Sequence, residues 1–409
     1  MDGTVLAELL DAAGVVDAAR LCEALRDHHP GAVIYDPGLS HTAACVSAIT
    51  EVDAGGRLRY RGYAADDLCR LDYLDVAFLL AQGKLPDRVE SRAWREAICI
   101  AGARSASVCQ VAQSLPVSAD PHSVLVSVLA AWAATAEKQE RSASVGDKIL
   151  GLLGVLPLAA GAALRPGSPS QLRHLAAEEP YALGLLANLA GSDELRPSPV
   201  LTRALNSILI ALADHEQACS TTVLRAVTSA GGTFGLAVVA AVAAVAGRLH
   251  GSSSVIALRQ FRAIGGAAGV PLFIDRVKSG QVGLAGFGHR IRIGSDPRAQ
   301  IIRAAAVEVA AVSGIDQALG VALALEAACS EDDFFRSRDL FPNVEFYSAV
   351  AFDALGFPPP AFSLVFAVAR AGGWIAHWRE AQEDPEQRMI RPRQLYRGPS
   401  PRTFPRTDT

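Results

Sequence analysis

The chain has 409 residues, half of them hydrophobic, enough to bury the cores of more than one domain. A net charge of −4 and a pI near 6.2 exclude a dominant electrostatic affinity for nucleic acid or an anionic membrane, and favour small-molecule partners. The seven cysteines are odd in number and scattered, with no C-x-x-C pair, and no Lys or Arg precedes Arg20, so the expectation is reduced thiols in a cytoplasmic protein.

Residues 2–27 place apolar side chains at mostly helical spacing, with Gly14 as the break between two short helices. A small β element is expected next: Val33-Ile34-Tyr35, then 44–52, then 57–63, with Asp53-Ala54-Gly55-Gly56 as the last turn. After Tyr63 the pattern is helical almost throughout: 65–71, 74–83, 91–103, 106–114, 122–138, 146–163, 171–176, 180–190, 198–217, 220–230, 233–247, 254–268, 270–280, 297–312, 316–329, 343–354 and 361–381. The run from Phe234 to Ala246 is apolar but too short to span a bilayer, so no membrane anchor is expected. From Gln382 the tail is rich in Arg and Pro and reads as extended. The fold class is therefore mostly α, with a minor N-terminal β element.

Four stretches carry chemistry. Gly286-Phe287-Gly288-His289 frees the backbone for close approach to a ligand and adds an imidazole, and Arg298 follows an Asp-Pro turn as a carboxylate clamp. Asp214-His215-Glu216 ends an amphipathic helix, where a histidine either faces a cleft or lies at a solvated helix end. His250 follows an apolar helix, so it is either a hydrogen-bonded structural histidine or a poised donor. Glu345, between Val344 and Phe346, is either a helix-start dipole partner or a base whose pKa burial raises. Arg370, inside a helix, and Arg391, in the polar tail, demand an anion if buried and are ordinary surface residues if not.

The order of these stretches resembles the citrate synthase family, as seen in bacterial and archaeal citrate synthases or 2-methylcitrate synthase-like proteins. Ile49-Thr50-Glu51-Val52-Asp53, Tyr60-Arg61-Gly62-Tyr63 with Asp67-Leu68, and Gly83-Lys84-Leu85-Pro86 are similar to its N-terminal signature. Asp-His-Glu, Leu-His-Gly, Gly-Phe-Gly-His and Pro-Asn-Val-acid then follow in family order. The resemblance implies a helical two-domain homodimer: a helical extension over 1–30, a large domain over 31–250 and 357–409, and a small domain over 251–356. The implied activity is that of an acyltransferase converting the acyl group to alkyl on transfer. It condenses acetyl-CoA with oxaloacetate to citrate and CoA, the tricarboxylic acid cycle reaction, with acyl-CoA as co-substrate and no permanently bound cofactor or metal. A relative using another acyl-CoA or 2-oxo acid, and a non-catalytic homologue that binds ligands or partners, are the alternatives.

By the same resemblance His215 binds oxaloacetate, His250 donates to the thioester oxygen and His289 polarises the keto group. Arg298 and Arg370 bind carboxylates, Arg391 is lent across the dimer and Phe366 packs by the substrate. Leu284, Ala285, Gly286, Phe287 and Gly288 form the CoA loop, and Arg292 is the candidate substitute for the basic residue expected at Ile293 to meet the CoA phosphates. The chain departs from the pattern at the base, which is Glu345 where the family has Asp. It departs also at Ser252-Ser253-Ser254-Val255 in place of Gly-Ala-Asn-Glu, at Leu212 where a His is common, and at Ile293 where a basic residue is expected.

Overall fold

The structure is a computed structural model that describes residues 15–26, 32–53, 56–140, 145–167, 172–190, 198–247, 249–251, 253–289, 294–314 and 316–403. It divides into two compact units, residues 1–46 and 47–409. The first of the two expected N-terminal helices lies outside the described residues; the second is α1 (Ala18–Arg26), started by Asp17, whose Oδ1 accepts from the amides of Ala19 at 2.7 Å and Arg20 at 3.0 Å. Val33-Ile34-Tyr35 is not a strand, because no described segment of this unit pairs with it. Asp36 organises the turn beyond it, accepting from the Ser40 and His41 amides and the Thr42 hydroxyl.

The second unit opens with a three-stranded antiparallel meander in the order β1 (Thr50–Val52), β2 (Leu58–Tyr60), β3 (Tyr63–Ala64). Thr50 faces Tyr60, and Arg59 faces Ala64. Asp53 closes the first turn, its amide donating to Arg57 O and its carboxylate accepting from the Arg57 amide. Arg61 and Gly62, with φ of 50° and 87°, make the two-residue second turn, in which both central residues need the left-handed region. The expected strand over 44–52 thus shrinks to three residues.

The helices are α2 (Ala65–Leu68), α3 (Tyr73–Gln82), α4 (Arg88–Ser105), α5 (Pro121–Glu140), α6 (Val145–Ala163), α7 (Tyr181–Leu189), α8 (Pro199–Leu212), α9 (Cys219–Ser229) and α10 (Phe234–Val245). There follow α11 (Ser253–Ile264), α12 (Val270–Lys278), α13 (Pro297–Ser313), α14 (Asp316–Glu331), α15 (Asp333–Arg336), α16 (Val344–Ala354) and α17 (Ala361–Glu383). Their starts have local causes. Asp72 caps α3, Asp87 and Glu90 form a capping box on α4, and Asp296 and Asn343 cap α13 and α16. Residues 106–114 are a 3-10 helix instead of an α-helix.

Of the helix expected over 171–176, residue 171 lies outside the described residues and 172–176 are not helical. The Asn188 side chain accepts from the Arg173 amide at 2.9 Å and donates to Arg173 O at 2.9 Å, taking the backbone groups that a helix would use.

The core is laid around α17, buried from Ala361 to Trp378, and α6. Residues 146–163 of α6 are long and apolar enough to cross a membrane, but 78% of that stretch is buried inside the fold, as a core helix requires. α6 meets α4 where Gly154 faces Gly102: a Cβ on Gly154 would lie 2.4 Å from Ile98 O, so this close crossing requires glycine.

Candidate active site

One half of the site is built at the end of α8, which stops at Leu212 instead of running to 217. The Tyr60 hydroxyl donates toward Ile210 O at 2.9 Å, and Arg370 Nε, from α17, takes Leu212 O at 2.8 Å. These long-range partners satisfy the last carbonyls and turn the chain, so that Asp214-His215-Glu216 leaves the helix, with Glu216 at φ 53°. Gly373 donates its amide to Ala213 O at 3.0 Å, and a Cβ there would lie 2.2 Å from the Asp214 carboxylate.

His215 and His289 meet edge to face, Nε2 to Nε2 at 3.0 Å. Burial, with Arg298 next in weight, holds the His215 imidazole well below its usual pKa, so the ring is neutral. Arg298 lies in the first turn of α13, where Asp296 accepts from its Nε at 2.9 Å and its Nη2 at 2.7 Å and also accepts from the Val344 amide at 3.1 Å. Burial alone would raise the Asp296 carboxyl, but Arg298 outweighs it and holds it well below the carboxylate range. Arg370 is 5% exposed, and its Nη1 is buried without a hydrogen-bond partner.

A second layer stands behind His215. Asp214 accepts from Thr50 Oγ1 at 2.6 Å and lies 3.3 Å from His377 Nε2, while His377 Nδ1 accepts from Arg225 Nε at 3.2 Å. Arg225 in turn is ion-paired with Glu380. Burial opposes ionisation of Asp214, yet His377 and Arg370 bring its carboxyl down to about 2.

The other half of the site gathers around α11 and α16. His250 Nε2 faces Ser220, accepting from its amide at 3.3 Å and lying 3.0 Å from its Oγ; Trp374 Nε1 donates to that same Oγ at 3.3 Å. With Nε2 accepting, the ring proton is on Nδ1. Glu345 starts α16 and is 7% exposed. Burial pushes its carboxyl up to about 7, against the pull of Arg298 and of Ser253 and Ser254 in the first turn of α11. Glu345 Oε2 and Ser254 Oγ are nevertheless both buried without a hydrogen-bond partner, so these two atoms face each other's element without closing a bond.

The loop 284–288 lies against α16. Gly286 has φ 81°, and a Cβ there would lie 2.9 Å from the Phe346 ring. Gly286 O accepts from the Asn343 amide at 2.8 Å, the Gly288 amide donates to Phe341 O at 2.8 Å, and Asn343 Nδ2 donates to Gly288 O at 3.0 Å. Gln260, in α11, accepts from the Ala285 amide at 2.8 Å and donates to Ala285 O at 3.4 Å.

The structure therefore joins His215, His289, Arg298 and Arg370 by contact or mutual charge, with Glu345 within the field of Arg298. His250 is held by α9. Phe366, one turn before Arg370, packs its ring 6.1 Å from that of Phe352. Arg391 is exposed in the tail, which passes the end of α9, where the Ile390 amide donates to Ser229 Oγ at 3.0 Å; within one chain it does not join the others. Arg292, Ile293 and Ser252 lie outside the described residues.

Asp296, Ser220, His377 and Gln260 were not singled out by the sequence. Only Asp296 carried a local signal, an Asp before Pro at a helix start. A separate cleft of about 620 Å³ is lined by Asp75, Arg88, Arg92, Arg95 and Glu178 among others, but Arg95 is already paired with Asp72 and Asp75, and Arg92 with Glu96.

The family model "Citrate synthase, C-terminal domain" matches residues 38–393. The glyoxysomal citrate synthase of Cucurbita maxima is 38% identical over 384 residues, covering 90% of this chain and 74% of the relative. The peroxisomal citrate synthase of Dictyostelium discoideum is also 38% identical over 384 residues, covering 90% and 78%. Among solved structures, citrate synthase from Thermoplasma acidophilum, in a ternary complex with carboxymethyl coenzyme A and oxaloacetate, superposes with a TM-score of 0.80 at 27% identity, covering 91% of this chain and 98% of that one. Citrate synthase from Pyrobaculum aerophilum gives 0.79 at 28%, covering 91% and 96%. The compartments in the relatives' names overturn the expectation of a cytoplasmic protein, which rested on free, scattered cysteines; that pattern reports redox state and not compartment.

Proposed function

Because this chain belongs to the citrate synthase family, we propose that it condenses acetyl-CoA with oxaloacetate to give citrate and CoA, with Glu345 as the base. The observation that carries this reading is the buried, unpartnered Nη1 of Arg370 beside the neutral His215 and the clamped Arg298. A guanidinium nitrogen shut away from water calls for an anionic acceptor. Two arginines around one histidine pair suit a small dicarboxylate.

In this mechanism oxaloacetate lays its carboxylates on Arg298 and Arg370, and its keto oxygen takes the place of the direct His215–His289 contact. Glu345 removes a methyl proton from acetyl-CoA while His250 Nδ1–H donates to the thioester oxygen, giving the enol. The enol carbon then attacks the keto carbon as the enol O–H returns its proton to His250 and the thioester carbonyl re-forms, and His289 delivers a proton to the oxygen that becomes the citrate hydroxyl. Water cleaves the thioester of the citryl-CoA so formed, releasing citrate and the CoA thiol. A carboxyl poised near 7 fits a base working at neutral pH.

The acyl-CoA is proposed to lie along residues 284–288, with 251–356 acting as a small domain that closes on the substrates and Arg292 near the CoA phosphates. The protein is proposed to be a homodimer in which Arg391 completes the partner's site. Its exposed, extended tail, which carries apolar Met389, Ile390, Leu395 and Tyr396 in the open, supports this.

Thiol release from acetyl-CoA, with and without oxaloacetate and with citrate identified as product, tests the reaction. Release that depends on oxaloacetate is expected; release that ignores it contradicts the reading. Propionyl-CoA in a parallel arm measures acyl selectivity. For the dimer, Arg391→Ala and His289→Ala, each inactive alone, are expected to regain partial activity when mixed, and no recovery despite demonstrated subunit exchange contradicts the shared site.

A further inference from the structure

We infer that Gln260 is a positioning residue for the acyl-CoA. This rests on the reading of 284–288 as the CoA loop. The Gln260 side-chain amide engages both polar groups of one residue of that loop, Ala285, at 2.8 Å and 3.4 Å. A peptide held at its N–H alone can still rotate; one whose residue is held at both N–H and C=O is fixed in register. The neighbouring anchors come from the opposite side, where Phe341 and Asn343 take Gly288 and Gly286. Among the described residues Gln260 is thus the hydrogen-bonding clamp from α11 on a segment whose other hydrogen bonds named here go to the approach to α16.

The position of Gln260 on α11 adds to the case. Phe261, the next residue, sets its ring edge to face against Phe346 at 5.0 Å, and Phe287 of the loop meets the same ring at 4.9 Å. Two turns earlier, Ser254 faces Glu345. One helix thereby sets both the height of the loop and the surroundings of the base. A Gln260 that lets go leaves the base in place and frees the loop, so the loss falls on acyl-CoA binding and not on the chemical step.

Steady-state kinetics of Gln260→Met and Gln260→Glu test this. The Met variant fills similar space and makes neither bond, and is expected to raise KM for acetyl-CoA about tenfold. Its kcat and its KM for oxaloacetate stay within about twofold of wild type. The Glu variant keeps an acceptor for the Ala285 amide and falls between the two. An unchanged KM for acetyl-CoA in the Met variant, or a fall in kcat with both KM values unmoved, overturns the inference. Calorimetric binding of CoA to the same proteins reads Gln260 even if the wild-type chain shows no condensation, which separates failure of this inference from failure of the assigned reaction. Should the Met variant not fold, the Glu variant and the hydrogen exchange of the Ala285 amide in wild type, expected to be slow, decide the matter; fast exchange counts against it.

Discussion

The two halves of the site are held in different ways. Around His215 the charged groups are paired across the chain, Arg298 with Asp296, Asp214 with His377 and Arg225 with Glu380, yet Arg370 Nη1, Arg225 Nη1, Asp214 Oδ1 and His215 Nδ1 are each buried without a hydrogen-bond partner. Around Glu345 the carboxyl faces two serines without closing a hydrogen bond to Oε2, and the loop beside it is clamped at its edges. The first half, the proposed anion socket, is tied together by charged pairs drawn from distant parts of the chain. The second centres on one carboxyl, Glu345, with no charged partner in contact among the described residues, and it carries the departures from the family pattern at the base and at Ser253-Ser254, while Leu212 is the departure in the first half.

Removing the Arg370 guanidinium should have the largest effect. Arg370→Met is expected to raise KM for oxaloacetate roughly 100-fold or more while leaving CoA affinity near wild type, because it removes a buried charge-assisted partner. Equal losses for both substrates would erase the distinction between the halves.

The layer behind His215 should appear in acid stability. The Asp214 carboxyl, at about 2 in the fold against a usual 3.8, contributes stability that is fully present above about pH 4 and is lost as pH falls toward 2. Asp214→Asn should therefore cost about 2 kcal/mol near neutrality and flatten the acid limb of a denaturation curve, measured by circular dichroism. An unchanged acid limb would remove Asp214 from the account.

A smaller effect is expected on the acyl side. With its pKa at about 7, Glu345 is a competent base only when ionised, so kcat/KM for acetyl-CoA should rise with pH through that region. Ser254→Ala removes a group that favours the charged form, and should move the rising limb to higher pH with little change in the plateau. A limb that stays in place would show that Ser254 does not act on the base.

Much of this contrast follows how far apart in sequence the partners lie. The helices, their caps and the order of Asp-His-Glu, Leu-His-Gly, Gly-Phe-Gly-His and Pro-Asn-Val-Glu are local patterns, and the fold class and the identities of the candidate residues were legible from them. The socket was not. It depends on Tyr60 capping a helix that ends near Leu212, on Arg370 taking Leu212 O and on His377 bridging Asp214 to Arg225, all pairings across more than 140 positions that no periodicity encodes. The same cause produced the misplaced elements. Residues 172–176 follow the Asn188 side chain instead of their own helical pattern, and α8 ends five residues before the helix expected there because distant groups claim its last carbonyls. Arg391 illustrates the opposite limit: its surroundings within one chain say little of its role, because the role proposed for it depends on a partner subunit.

Glu345 is proposed as the base of an oxaloacetate-dependent condensation, and Glu345→Gln is the decisive variant. The variant keeps the shape of the side chain and removes its basicity. Thiol release from acetyl-CoA should fall roughly 100-fold to 10,000-fold, while calorimetric affinity for oxaloacetate stays within about twofold of wild type, because the carboxylate acts on the other substrate. Wild-type turnover in Glu345→Gln would contradict the account.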